Sequence, residues 1–197
     1  QRQMCIRDRG NVMQAWTRQL EPVLTELERD GIYRAKEWYI RMKNGSMADY
    51  YLERYRWYMG RAEAIVPRPA GAEAPIWLFL SDEDKLPPLP GAPLLELDIP
   101  AEKIVISDSQ LWGYAINYMY CPLDKADEEA HDRALAAMGI SSETALFQTD
   151  KGNFYPLLKR KIIDSWPRMF LSKPLGTFSA QGTVWELRKE WLTNVYR

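Results

Sequence analysis

Pro75 to Leu80 read PIWLFL, an unbroken apolar run. It stands between a Pro- and Gly-containing stretch, Pro67 to Gly71, and an acidic, then Pro-rich loop from Ser81 to Pro93. A run this short, closed by turn residues, fits a strand buried at the centre of a sheet. The remaining sequence offers its partners. Gln14 to Arg18 (QAWTR) is a strand candidate with Trp16 as its large apolar residue. Leu94 to Ile99 sets Leu95, Leu97 and Ile99 on one face and Glu96 and Asp98 on the other. Lys103 to Ile106 and Trp191 to Tyr196 add short strands. Phe178 to Leu187 alternates Phe178, Ala180 and Gly182 against Gln181, Thr183 and Trp185.

Helical patterns fall between these strands. Glu21-Pro22 opens one, with Pro suited to the first helical position and Glu21 to the positive end of the dipole. Val23, Leu24 and Leu27 form its stripe, and Gly31 closes it. Ile32 to Ala35 reads as a second strand or, from Tyr33 to Lys43, as helix. After the break at Asn44-Gly45-Ser46, Met47 to Val66 is the longest helical pattern. Tyr51, Tyr55, Tyr58 and Met59 share one face, and Arg54 and Arg61 are placed in solvent. Ser107-Asp108-Ser109 caps a helix running to about Tyr120. Asp124 to Met138 and much of Tyr155 to Phe170 follow as helix. The expected fold is α+β: one domain over residues 13–197, a mixed, mostly antiparallel sheet with flanking helices, and both terminal strands in that sheet.

Composition excludes several classes. With 26 Lys and Arg against 27 Asp and Glu, the formal charge of -1 gives no pull toward nucleic acid or acidic membranes. Two cysteines, Cys5 and Cys121, make neither a disulfide framework nor a zinc site, and the one histidine, His131, cannot build a multi-histidine metal centre. No metal site is expected. No apolar window is long enough to span a bilayer, so a cytoplasmic protein without membrane contact is the expectation. Gln1 to Arg9 (QRQMCIRDR) has no apolar h-region and resembles a translated sequencing-adapter scar. Residues 1–12 are therefore expected to be a non-native or disordered tail, with Met13 as the natural start. The eight Trp, eleven Tyr and five Phe are spread along separate elements, which argues for an aromatic core.

Chemistry-bearing motifs are sparse. There is no G-x-G-x-x-G, no G-x-x-x-x-G-K-[ST], no H-E-x-x-H and no C-x-x-C. A Cys121–His131 pair sits poorly for catalysis, because a helix C-terminus raises a thiol pKa. A structural cysteine and a solvent-facing histidine explain both residues. Lys159-Arg160-Lys161, with Arg168 beyond, reads as a solvated face. Arg54, Arg56 and Arg61 beside Tyr55, Trp57 and Tyr58 offer a nucleotide grip, or simply a helix with one aromatic face buried.

Taken together, AWTRQ (Ala15 to Gln19), PIWLFL, LLELDIPAEKIVISDSQLWGYAIN, DSWPRMF (Asp164 to Phe170) and SAQGTVWEL (Ser179 to Leu187) resemble domain-of-unknown-function family 3841. The resemblance covers nearly all of Met13 to Arg197 and implies a bacterial or phage-borne cytoplasmic protein, without naming a reaction. Arg18 stands where that family usually has an apolar residue, and Leu123 to Tyr155 is locally divergent.

The layout of strand, helix ending in Gly, strand, helix and late Q-x-x strand also resembles a shortened ADP-ribosyltransferase fold. That resemblance implies an NAD or other nucleotide site. Thr17 or Arg18 would hold the ribose or nicotinamide, Tyr33 or Tyr55 would stack the ring, and Gln181 to Thr183 would form the last element. Thr183 occupies the place of the expected Glu, and a hydroxyl supplies no negative charge. Glu186, three residues on, would point to the other face of a regular strand. The candidate catalytic residues are thus Gln181 and Glu186, and the candidate ligand residues Thr17, Arg18, Tyr33, Tyr55 and Thr183.

The leading expectation is a protein that binds a small nucleotide-like ligand or another protein through a degenerate site of this type, in phage–host conflict. The alternatives are an active NAD-dependent ADP-ribosyltransferase or NAD glycohydrolase, and a purely protein-interacting, self-associating module.

Overall fold

In a computed structural model, residues 11–171 and 179–197 are described. The elements run β1 (Val12–Arg18), α1 (Glu21–Asp30), β2 (Ile32–Tyr33), α2 (Glu37–Asn44), α3 (Ala48–Ile65), β3 (Ile76–Phe79), β4 (Leu94–Pro100) and β5 (Val105–Asp108). There follow α4 (Ser109–Ile116), α5 (Lys125–Ala137), α6 (Glu143–Gln148), α7 (Pro156–Ser165), β6 (Ala180–Val184), β7 (Leu187–Arg188) and β8 (Leu192–Tyr196). The architecture is α+β. A six-stranded sheet has the order β5-β6-β3-β1-β4-β8, and β2 pairs with β7 in a separate ladder. The chain forms two compact units: residues up to Ile106 with Gln181–Arg197, and Ser107–Ala180.

In the first unit the PIWLFL run becomes β3, an interior strand with antiparallel partners β1 and β6 on its two edges. Its residues still alternate, Ile76 and Leu78 being buried and Trp77 and Phe79 half-buried. β4 follows the amphipathic reading, with Leu95, Leu97 and Ile99 fully buried and Glu96 and Asp98 half-exposed. The strands β1 and β8 near the two ends share the sheet, with β4 between them. β1 begins at Val12, which pairs with Pro100, so Asn11 and Val12 are not part of a detached tail.

Helix α1 has the predicted bounds: Leu24 and Leu27 are buried, and Gly31 takes the left-handed conformation at φ 78° that closes the helix onto Leu27 O. The ambiguous stretch after it divides into β2 and α2. Arg54 departs from expectation. It is 1% exposed, with its guanidinium carbon 4.1 Å from the Tyr50 ring centroid. Arginine is weakly hydrated and stacks on aromatic faces, so an aromatic-rich helix can bury one where charge alone argues against it.

In the second unit Asp108 caps α4, accepting from Gln110 N at 2.8 Å and Leu111 N at 3.0 Å. The helix stops at Ile116, short of the predicted Tyr120, and Tyr118 at φ 60° turns the chain so that its ring stacks on Phe147 at 4.5 Å. α6 lies in the divergent stretch and was not anticipated. It is followed by a tight turn at Asp150–Phe154 that lies against it. Gly152 permits that approach, since a Cβ there would stand 1.7 Å from Leu146 O. Of the tryptophans, Trp16, Trp185 and Trp191 are buried in the first unit and Trp112 and Trp166 in the second. The aromatic core is therefore distributed over both units. Phe178 lies outside the described residues.

Because the atom nearest to a Cβ at position 152 is backbone, relief requires the turn or α6 to move. Gly152→Ala should lower unfolding free energy by about 2–3 kcal/mol, at the upper end of overpacking costs. Urea denaturation at constant m-value checks this; a change within about 0.5 kcal/mol, the scale of neutral surface substitutions, would remove the close approach from the account.

Candidate functional site

The registers Trp16↔Phe79 and Trp77↔Thr183 sort the sequence-predicted residues by face. Paired residues share a face and successive residues alternate, so Arg18, Trp77, Gln181 and Thr183 belong to one face of the sheet. Thr17 belongs to the other. It is 2% exposed, donates its hydroxyl to Trp77 O at 2.8 Å and accepts from Gln19 Nε2 at 2.9 Å. A buried hydroxyl so engaged has its donor committed to the sheet.

On the first face, α3 lays tyrosines against Trp77. Tyr58 is fully buried with its ring centroid 4.9 Å from that of Trp77, and Tyr55 lies 6.3 Å away edge-on. The Tyr58 hydroxyl and Thr183 Oγ1 share a buried hydrogen bond of 2.8 Å. Burial raises the Tyr55 phenol pKa above its ordinary value. Tyr55 and Thr183 are thus brought together around Trp77, as packing partners. Arg18 reaches away to donate to Pro87 O at 3.1 Å. Gln181 is half-buried opposite Phe79.

Tyr33 belongs to the second ladder, and Glu186 immediately precedes its strand β7. β2 and β7 pair Ile32 with Arg188 and Tyr33 with Leu187. Burial pushes the Tyr33 phenol up to about 12, so it stays protonated. The chain bends at Trp185 after β6, and Glu186 therefore does not continue that strand. Continuing the β2–β7 register by one residue sets Arg34 opposite Glu186. Arg34 holds Glu186 Oε2 through Nε at 2.9 Å and Nη2 at 2.8 Å. Arg188 holds Oε1 through Nε at 2.8 Å and Nη2 at 2.6 Å. Burial alone would push the Glu186 carboxyl up, yet the hydrogen bonds and charges of Arg188 and Arg34 hold it below the usual carboxylate range. Both oxygens are occupied, and the proton affinity needed for acid or base work near neutral pH is removed.

A second polar cluster, in the other unit, escaped the sequence reading. His131 is buried, with its ring stacked 4.0 Å from that of Tyr120, in place of the solvent-facing histidine expected. The Lys161 ammonium lies 3.2 Å from Nδ1 and Glu143 Oε1 lies 2.7 Å from Nε2. An ammonium only donates, so Nδ1 accepts and Nε2–H donates to Glu143. Tyr120 donates its hydroxyl to Asp127, and Arg168 donates to that same hydroxyl, to Asp127 and to Cys121 O. Burial pushes the Cys121 thiol up to about 12, so it carries no thiolate at neutral pH. Asp127 lies one helical turn before His131 on α5, whereas Glu143 comes from α6, twelve residues after His131, and no spacing rule links those two. Among the described residues no three of His, Cys, Asp and Glu are grouped to hold a metal ion, and no helix is long and apolar enough to cross a membrane.

The Glu186 ion pairs make stability depend on pH in a definite direction. A folded-state carboxyl held below its unfolded pKa of about 4.3 stabilises the protein above that value, and the contribution is lost as pH falls through the lower folded value. Glu186→Gln should cost about 2 kcal/mol at pH 7, less than a fully buried pair because both guanidinium groups are a third exposed. It should also flatten the loss of stability between about pH 5 and 3. Urea melts across that range read both effects; an unchanged acid slope would mean that the carboxylate is not held.

No curated protein and no solved structure matches the chain. The family model described as Domain of unknown function (DUF3841) matches residues 14–193, and the chain belongs to that family.

Proposed function

We propose that the protein is a cytoplasmic binding protein for a small nucleotide-like ligand, with a degenerate ADP-ribosyltransferase-like site that binds without cutting. The observation carrying this reading is the state of Glu186. ADP-ribosyl chemistry needs a carboxylate facing the ribose to stabilise an oxocarbenium-like transition state. In this chain Thr183 holds the corresponding strand position and shares its hydroxyl with Tyr58. Glu186 has each oxygen taken by a guanidinium group. Thr17 lies on the opposite face, with its hydroxyl given to the β3 backbone.

Incubation with NAD, with nicotinamide release and calorimetric binding followed together, tests the reading. The expected result is measurable binding of a nucleotide without nicotinamide release. Release by the wild type that Gln181→Ala or Glu186→Ala abolishes would overturn it in favour of an NAD-dependent transferase or glycohydrolase.

A second reading, a protein-docking role, is favoured by α2 and the turn after it. Trp38 is 60% exposed, Met42 54% and Met47 46%, and Trp38 and Met42 lie one helical turn apart. Self-association through this patch would appear in sedimentation velocity as a dimer that Trp38→Ser converts to monomer. A wild-type monomer at high micromolar concentration would count against self-association.

A further inference from the structure

The segment from Gly139 to Tyr155 lines a half-open pocket of about 290 Å³ within the second unit. Local sequence chemistry builds it. Gly139, left-handed at φ 69°, ends the passage out of α5, and Ser142 caps α6 by accepting from Ala145 N at 3.3 Å. Gly152 then lets the Asp150–Phe154 turn close onto Leu146. The result sets an apolar floor at Ile140 and Leu146 against Ser142, Lys151, Phe154 and Tyr155.

Three features point to the kind of ligand. Lys151 is the charged residue of the lining, and among the described residues its ammonium makes no ion pair. Phe154 is 81% exposed, so its ring contributes almost nothing to the core while standing at the pocket. Ser142 and Tyr155 add hydroxyl groups beside them. A cation, a free aromatic face and hydroxyls on one small cavity match an anion, a planar ring and a sugar. Size narrows the class. Pockets for drug-sized ligands measure roughly 300–1,000 Å³, and about 290 Å³ lies at the lower end, the scale of one nucleotide.

We propose that this pocket binds a nucleoside monophosphate, with the base on Phe154 and the phosphate on Lys151. The proposal rests on the reading of the protein as a nucleotide binder and adds a second, separate site, which shares no residue with the β3 face.

Isothermal titration of the full chain with AMP, GMP, CMP and UMP tests it, with adenosine and inorganic phosphate as partial ligands. Lys151→Gln and Phe154→Ala are surface changes, and circular dichroism verifies that both variants fold. At least one mononucleotide should bind saturably, about tenfold more weakly to Lys151→Gln and about five- to tenfold more weakly to Phe154→Ala. Adenosine should be indifferent to Lys151→Gln. Mononucleotide binding unchanged in both variants would overturn this site and leave the nucleotide-binding reading standing. Inorganic phosphate binding as tightly as any mononucleotide, with no effect of Phe154→Ala, would overturn the nucleoside part. Absence of binding by every mononucleotide and by NAD would overturn both the site and the reading.

Discussion

The pairing of β3 on both edges is the constraint on which the first unit depends. A strand with β1 on one side and β6 on the other has its ladder hydrogen bonds satisfied, so what its side chains meet is fixed by register. Trp77 then faces Thr183 and receives Tyr58 and Tyr55 from α3, while its carbonyl accepts from Thr17 on β1. Gly182 completes this arrangement, since a Cβ there would stand 2.9 Å from Ile104 Cγ2 and 3.1 Å from Leu80 Cδ2. Shifting β6 by one residue would turn Thr183 and Val184 to the wrong faces, and Tyr58 would lose its buried partner.

In both units, several polar groups taken from water have been given partners. Thr17, Gln19 and Thr183 are each buried and each hydrogen-bonded. Glu186 sits between Arg34 and Arg188, and His131 between Glu143 and Lys161. An unpaired buried charge costs several kcal/mol, so such arrangements hold one conformation firmly even when their net contribution to stability is small. A carboxylate fixed in this way orients neighbouring strands well and handles protons poorly. Thr17, Thr183 and Glu186 all direct their polar atoms at the protein itself.

Much of the fold was legible because local chemistry decided it. Glu21-Pro22 and Gly31 bound α1, Asp108 and Asp124 cap α4 and α5, and the alternation in LLELDI set the buried face of β4. The site was legible as a list of residues and not as a geometry. Thr17 and Thr183 look equivalent in sequence, yet the registers of two strand pairs put them on opposite faces. The clamp joins Arg34 and Glu186, 152 residues apart, beside a two-residue ladder that no periodicity announces. Arg54 and His131 were misplaced for a related reason. Their burial depends on particular aromatic neighbours, Tyr50 and Tyr120, and propensity carries no information about such neighbours.

The central claim is that Glu186 serves the fold through Arg34 and Arg188. A double-mutant cycle on folding stability, using Glu186→Gln, Arg34→Met and the pair, isolates that interaction from the cost of each substitution alone. A cross-strand pair of this burial should show a coupling energy of about 1 kcal/mol or more at pH 7, diminishing once the carboxyl is protonated. Strictly additive losses at pH 7 would mean that the carboxylate is free, and would return Glu186 to the catalytic candidates.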